Sequence, residues 1–449
     1  MRGRIAYIFR SIATLTIALF LSSQSLLLFF APKAYAEAPY LASDVLGQTD
    51  RNGNPVFNKN EYNNGQLKPG ATGLDSPQSP VIDTVDHRLF VVDRANNRVL
   101  VYQLNSNNLL TDRIADFVLG QADFTGNSPN FSQNTFNQPA GLAYDTLNHY
   151  LFVSDSTRVV VFDLSGGITN GMNASFILGQ ADFSLGGGYS CTAGGSSAGA
   201  ALLYEASQKH LYVVDKSMYR VVVFDLSGGI TNGMNASYVL GQPDLTTCSG
   251  PDSNAKGFRF YNENSGLAYD SNHGYLYVAD TQNYRVLVFD MSGGISNNMD
   301  ASYVLGQANF TDNASSGGDA KGFNNGGSGV GTLVYDNTNN LLYASDTWNS
   351  RVLVFDMSGG ISNNMDASYV LGQSDLTSIA WGTTSADLGG PAGIAYDEAH
   401  QVLFLADIHN RVLEFDVSSG IVNHLAAIDV LGQTDVSGTL ISIAEIGTT

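Results

Sequence analysis

An aspartate followed three to five residues later by an arginine recurs at one place in each of six repeats: Asp93 with Arg98, Asp155 with Arg158, Asp215 with Arg220, Asp280 with Arg285, Asp346 with Arg351, and Asp407 with Arg411. A carboxylate beside a guanidinium can clamp a substrate or move a proton. Sixfold repetition argues for a different role, in which charge-assisted hydrogen bonds tie hairpin ends together. Histidines offer less. His87, His149, His210, His273 and His400 fall in or beside one recurring turn and read as solvated, on turns too far apart to share a metal. His409 lies in another kind of loop, without a Ser or Cys partner to activate. Cys191 and Cys248 each follow a Leu-Gly-Gln segment in consecutive repeats and lack zinc-site spacing. An oxidising compartment would favour a bridge between them over two free thiols.

The elements that position these residues come from a repeat. Val-Leu-Gly-Gln or Ile-Leu-Gly-Gln recurs with its glycine at Gly47, Gly120, Gly179, Gly241, Gly306, Gly372 and Gly432. The arginines are spaced 60, 62, 65, 66 and 60 residues apart, which makes six full copies. In the fourth copy, Gly266–Asp270 reads as a short strand, and Ser271-Asn272-His273-Gly274 as a turn. Tyr275–Asp280, Arg285–Asp290 and Ala301–Leu305 supply three more strands. The third strand is apolar at successive positions, so both of its faces should be buried. Four antiparallel strands per repeat with nothing helical between them predict an all-β fold of four-stranded blades arranged radially. A solenoid or a row of small domains fits less well, because one four-stranded sheet cannot bury both faces.

Pro-x-Gly-Leu-Ala-Tyr-Asp, followed by Leu-Tyr-Val-Ala-Asp-Thr-x-Asn-x-Arg-Val-Leu-Val-Phe-Asp, resembles the NHL repeat, best at residues 139–145, 275–290, 341–356 and 391–416. The resemblance covers most of the chain and implies a six-bladed β-propeller over residues 37–435, in the architecture shared with TolB- and YWTD-type propellers. The longer unit and the Leu-Gly-Gln ending depart from the family pattern and suggest an exported bacterial-type subgroup. Ring closure stays open. Leu41–Gln48 could supply the outer strand of the last blade, or blade six could be complete with Ile428–Gln433.

In such a propeller the fourth-to-first and second-to-third strand loops share one face around a channel. The former are long and rich in Gly, Ser and Asn, as in 122–138, 181–199 and 308–329, which marks a working face. A metal-dependent propeller enzyme would need acidic, amide or histidine ligands converging on the axis. The aligned inner positions instead carry Gln78, Ala140, Ala200, Ser265, Gly331 and Ala392, then Ser79, Gly141, Ala201, Gly266, Thr332 and Gly393. None of these titrates, so no cofactor or metal is expected there. Glu263 and Asn262 lie just outside the set. The corners between second and third strands bring Arg94, Lys216, Tyr219, Tyr284, Trp348 and His409 to the channel mouth, suiting sugar, peptide or protein recognition. Packing of these rings against their own loops is the alternative.

Residues 1–36 carry Arg2, Arg4 and Arg10, an apolar stretch from Ile12 to Phe30, and Ala34-Tyr35-Ala36. This reads as a secretory signal cut after Ala36, or, uncut, as a membrane anchor over residues 11–31. All 41 acidic residues lie beyond position 36, in a chain of net charge −20. Such a surface repels phosphate backbones and excludes nucleic-acid partners. Asn-Ala-Ser at Asn173, Asn235 and Asn313 formally reads as a glycosylation acceptor in a eukaryotic secretory route. The turn Asp336–Asn340 lacks the closing glutamate of a calcium loop. Residues 436–449 read as a tail. The expected function is non-enzymatic recognition or scaffolding of a protein, peptide or glycan in the cell envelope or outside the cell. An envelope lyase or hydrolase, drawing on Glu263 and His409, is the alternative.

Overall fold

The computed structural model describes residues 67–431, except 76, 107–113, 185–190, 194–200, 261–265, 316, 324–329, 383, 399–400, 408–410 and 428. The N-terminal segment 1–36, the strand-like Leu41–Gln48 and the tail 436–449 lie outside this range. The described chain is all-β and forms six four-stranded antiparallel sheets, each a meander in chain order. The first is β1 (Pro77–Asp83), β2 (Arg88–Asp93), β3 (Arg98–Gln103) and β4 (Phe117–Leu119), and the second β5 (Gly141–Asp145), β6 (Tyr150–Ser154), β7 (Val159–Asp163) and β8 (Phe176–Leu178). The third is β9 (Leu202–Glu205), β10 (His210–Asp215), β11 (Arg220–Asp225) and β12 (Tyr238–Leu240), and the fourth β13 (Leu267–Asp270), β14 (Tyr275–Asp280), β15 (Arg285–Asp290) and β16 (Tyr303–Leu305). The fifth is β17 (Val330–Asp336), β18 (Leu341–Asp346), β19 (Arg351–Asp356) and β20 (Tyr369–Leu371), and the sixth β21 (Pro391–Asp397), β22 (Val402–Asp407), β23 (Arg411–Asp416) and β24 (Asp429–Leu431). The sixth sheet thus takes its outer strand from its own repeat. β16 starts two residues later than expected because the Ala301 amide donates to the Ala255 carbonyl, outside the ladder.

The apolar runs are explained by what lies on each side of a sheet. In β15, Val286 and Val288 enter a core shared with Leu342, Ala344, Leu353 and Phe355 of the fifth sheet. Leu287 and Phe289 enter another with Tyr212, Val214, Val221 and Val223 of the third. Alternate side chains of one strand therefore serve two cores, as the period of two requires. Similar cores join sheets one to two, two to three, and five to six. Each fully buried aliphatic side chain contributes about 1.5–3 kcal/mol. The remaining face of the first sheet, with Val91, Leu100, Tyr102 and Val118, is also buried.

An outer strand leaves backbone groups exposed to pairing with other chains. Here the next repeat covers that edge. The side-chain oxygens of Asn170, Asn232, Asn297, Asn363 and Asn423 accept from the amides of Val118, Ile177, Val239, Val304 and Val370, at 3.0, 3.1, 2.9, 3.0 and 3.0 Å. A neighbouring amide in each turn donates back, as Asn364 does to the Val304 carbonyl. Replacing Asn363 by Ala strands the Val304 amide. We expect it to cost about 1–3 kcal/mol, read by urea denaturation; a loss below the error of the measurement would rule out the cap.

Candidate functional site

The face formed by the second-to-third strand corners and the fourth-to-first loops is built on repeated residues. Each fourth strand ends in Leu-Gly-Gln. Gly306 has φ +89°, and a Cβ there would lie 2.6 Å from the Phe323 ring, so glycine is required. Gln307 Nε2 then donates to the carbonyls of Tyr284, in the preceding corner, and Ala314, in its own loop, at 3.0 and 2.8 Å. Gln121, Gln242 and Gln373 bridge the same two elements in their repeats.

Beneath them lie the arginines. Arg98, Arg158, Arg220, Arg285 and Arg351 are fully buried, and the Nε of each donates to its aspartate at 2.6, 2.9, 2.8, 2.7 and 2.8 Å. The terminal nitrogens hold the loops. Arg285 donates to the carbonyls of Phe310, in the loop that follows its sheet, and of Asn254 and Gly257, in the loop that precedes it. Burial pushes the Asp93, Asp155 and Asp280 carboxyls up, against the opposing pull of their arginines. These five pairs are enclosed and have their hydrogen bonds spent on the fold. The side chains of Asp407 and Arg411 lie outside the described residues.

Loop-to-loop order is reinforced covalently, because Cys191 and Cys248, on the loops after the second and third sheets, form a disulfide with Cα atoms 5.8 Å apart.

The corner residues that differ between repeats sit on this framework. Arg94, Lys216 and Trp348 lie in one-turn 3₁₀ helices after β2, β10 and β18. Arg94 and Lys216 are half-buried, and Trp348 is exposed. Tyr219 and Tyr284 close two such turns at φ 52° and 53°, a left-handed backbone that bulky side chains rarely adopt. Asn97 and Ser350 adopt the same backbone at the same place in their repeats, at φ 54° and 52°, so the conformation belongs to the repeated turn. The Tyr284 ring packs partly against the core between sheets four and five. His409, Glu263 and Asn262 lie outside the described residues.

Of the twelve inner positions, the Ser79 hydroxyl donates to the Ala140 carbonyl at 2.7 Å, and a Cβ on Gly331 would approach Ser345 Oγ to 2.7 Å. Gln78 and Ala392 are described only as backbone, and Ala200 and Ser265 not at all.

The opposite face departs from the sequence reading. Turns of adjacent sheets touch there. Asp83, Asp86 and His149 bring one ligand atom each within 4.8 Å of one another, the one such group of His, Cys, Asp or Glu among the described residues. The expected separation of these turns is therefore wrong for the first two sheets, and a tyrosine also bridges them. The Tyr144 hydroxyl donates to Asp83 at 2.7 Å, and Tyr204 and Tyr335 repeat this with Asp145 and Asp270. The charge of the cluster is already partly offset: Arg88 Nη2 donates to Asp83 at 2.5 Å and to Asp86 at 2.6 Å. Burial raises the Asp83 carboxyl, but Arg88, Tyr144 and two backbone amides together bring it below the ordinary carboxylate range.

A depressed carboxylate adds stability that is complete above its unfolded value and lost as pH falls through its folded one. Asp83→Asn should therefore flatten the loss of stability below about pH 4; an unchanged acid limb would refute this. A cavity of about 520 Å³ also opens among the first strands of sheets three to five, lined by Leu203, Leu267, Val334, Tyr204, Tyr269 and Tyr335 with Glu205. Sequence reasoning missed it by aligning those strands on their acidic ends and weighing only the positions four and five residues before. Compared with known proteins, the chain matches no family model and no curated sequence.

Proposed function

We propose that the six sheets close into an NHL-type propeller that works as a non-enzymatic recognition module, exported from the cell and binding a protein, peptide or glycan through its long-loop face. One observation carries the recognition reading. Charge is buried in the five described Asp–Arg pairs, whereas the corners of repeats one, three, four and five vary, with Arg94, Lys216 and Tyr219, Tyr284, and Trp348, on backbone fixed by Gln and Arg side chains. Rigid support under varied side chains suits binding by preorganisation. Ring closure is supported by the burial of the first sheet's outer face, which has the apolar character of the faces joining the other sheets.

The test is capture of envelope components by the immobilised protein. Arg94→Ala, Lys216→Ala and Trp348→Ala together should lower retention of a specific partner at least about tenfold. Val85→Ser with Leu147→Ser, on the opposite face, should not. Loss with the second pair and not the first would place recognition elsewhere. A stoichiometric divalent metal with turnover dependent on Glu263 or His409 would favour the enzyme reading.

A further inference from the structure

Both tryptophans of the chain stand on the long-loop face at the fifth repeat, Trp348 with 45% and Trp381 with 51% of its surface exposed. Ile379, two residues before Trp381, is 41% exposed. Trp348 lies in the 3₁₀ turn Thr347–Asn349, and Trp381 in the loop between β20 and β21. One amide group joins their backbones. Gln373 Nε2 donates to the Ser350 carbonyl at 2.8 Å and to the Ala380 carbonyl at 2.7 Å, while the Ala380 amide donates back to Gln373 Oε1 at 3.0 Å. Two further bonds brace the pair: the Thr347 hydroxyl to the Pro391 carbonyl at 2.7 Å, and Arg351 Nη1 to the Leu376 carbonyl at 2.6 Å.

The architecture does not need these indoles. The equivalent corner positions are Ala95, Thr157, Ser217, Gln282 and His409, and the equivalent loop positions of the first four repeats Pro129, Gly188, Gly250 and Ser315, none of them tryptophan. Half-exposed indoles on a braced backbone keep apolar surface in water that a bound ligand would cover.

The surroundings select the ligand. Two half-exposed indoles and an isoleucine offer on the order of 300 Å², well below the roughly 800 Å² per partner of a stable protein interface. The loop that carries Trp381 is otherwise hydroxylic and acidic, with Asp375 accepting from Thr377 and Ser378 and Asp387 accepting from Thr384. With a net charge of −20, the chain repels anions. A neutral sugar chain matches each property: its C–H faces stack on indole, its hydroxyls bond to carboxylates and carbonyls, and it carries no charge. We infer that Trp348 and Trp381 form a stacking platform for a neutral oligosaccharide, which rests on the recognition reading of the same face.

With no other tryptophan present, intrinsic emission reports the platform directly. The full chain is titrated with cellohexaose, chitohexaose, xylohexaose and mannohexaose. At least one should change the emission saturably. By calorimetry, Trp348→Ala and Trp381→Ala should each weaken that binding about tenfold, and the Phe replacements should restore most of it. Binding that survives the double Ala variant overturns the platform, and so does the absence of emission change and heat for all four sugars at millimolar concentration. If no sugar binds but the double variant stops retention of a protein partner, the glycan assignment fails and the recognition reading stands. If retention is also unaffected by the Arg94, Lys216 and Trp348 replacements, both fail.

Discussion

Replacing Arg285 by alanine should destabilise the protein by about 3–5 kcal/mol, among the largest effects of any single substitution on this face. The reason is the group left behind. Asp280 is fully buried, and without the guanidinium it keeps only the Arg259 amide and the Asn283 side chain as donors. The carbonyls of Phe310, Asn254 and Gly257 lose their donor in the same step. Arg285→Lys should recover little, since one ammonium cannot reproduce a planar fork aimed at a carboxylate and three carbonyls. Asp280→Asn with Arg285→Met should be milder than Arg285→Ala, because no charge is stranded. Equilibrium urea unfolding measures all three. A loss under about 1 kcal/mol for Arg285→Ala, the range of an exposed pair, would show that the buried pair is not what holds the loops.

Reducing the bridge between Cys191 and Cys248 should be nearly as costly. The two residues are 57 apart in sequence, and releasing a loop of that size from the unfolded ensemble corresponds to about 4 kcal/mol in the chain-entropy description. Thermal unfolding with and without reductant, set against Cys191→Ala with Cys248→Ala, should show the oxidised chain melting several degrees higher. Coincident curves would sink the expectation. The loops after the second and third sheets should also become the first sites of proteolysis on reduction, since nothing else covalent ties them to each other.

What could be read in advance follows from how each contact is encoded. Strand order came from the spacing of Arg285 and Leu-Gly-Gln, because a repeat prints its period many times over. The buried Asp–Arg ties were legible for the same reason, with partners three to five residues apart. The asparagine caps were not. Asn297 bonds to the amide of Val239, 58 residues earlier, and a backbone amide leaves no mark in a sequence, so the residue reads as turn filler. His149 was placed too far from its neighbours because the tyrosine bridge to Asp83 spans 61 residues. Trp381 escaped notice in a class of loop read only for its length and its Gly, Ser and Asn content. Its relation to Trp348 runs through Gln373, a residue that looks the same in every repeat.

The asparagine caps give the array a direction. Each described outer strand from β4 to β20 is covered by the repeat that follows it, never by the one before. During synthesis the newest complete sheet therefore always carries the open edge, and the previous one is sealed only when the next turn has folded. A chain stopped between repeats would keep that edge, with paired donors and acceptors ready for a second copy of itself. Shortened forms ending after β12 or β16 should therefore self-associate, while the complete array keeps those edges covered.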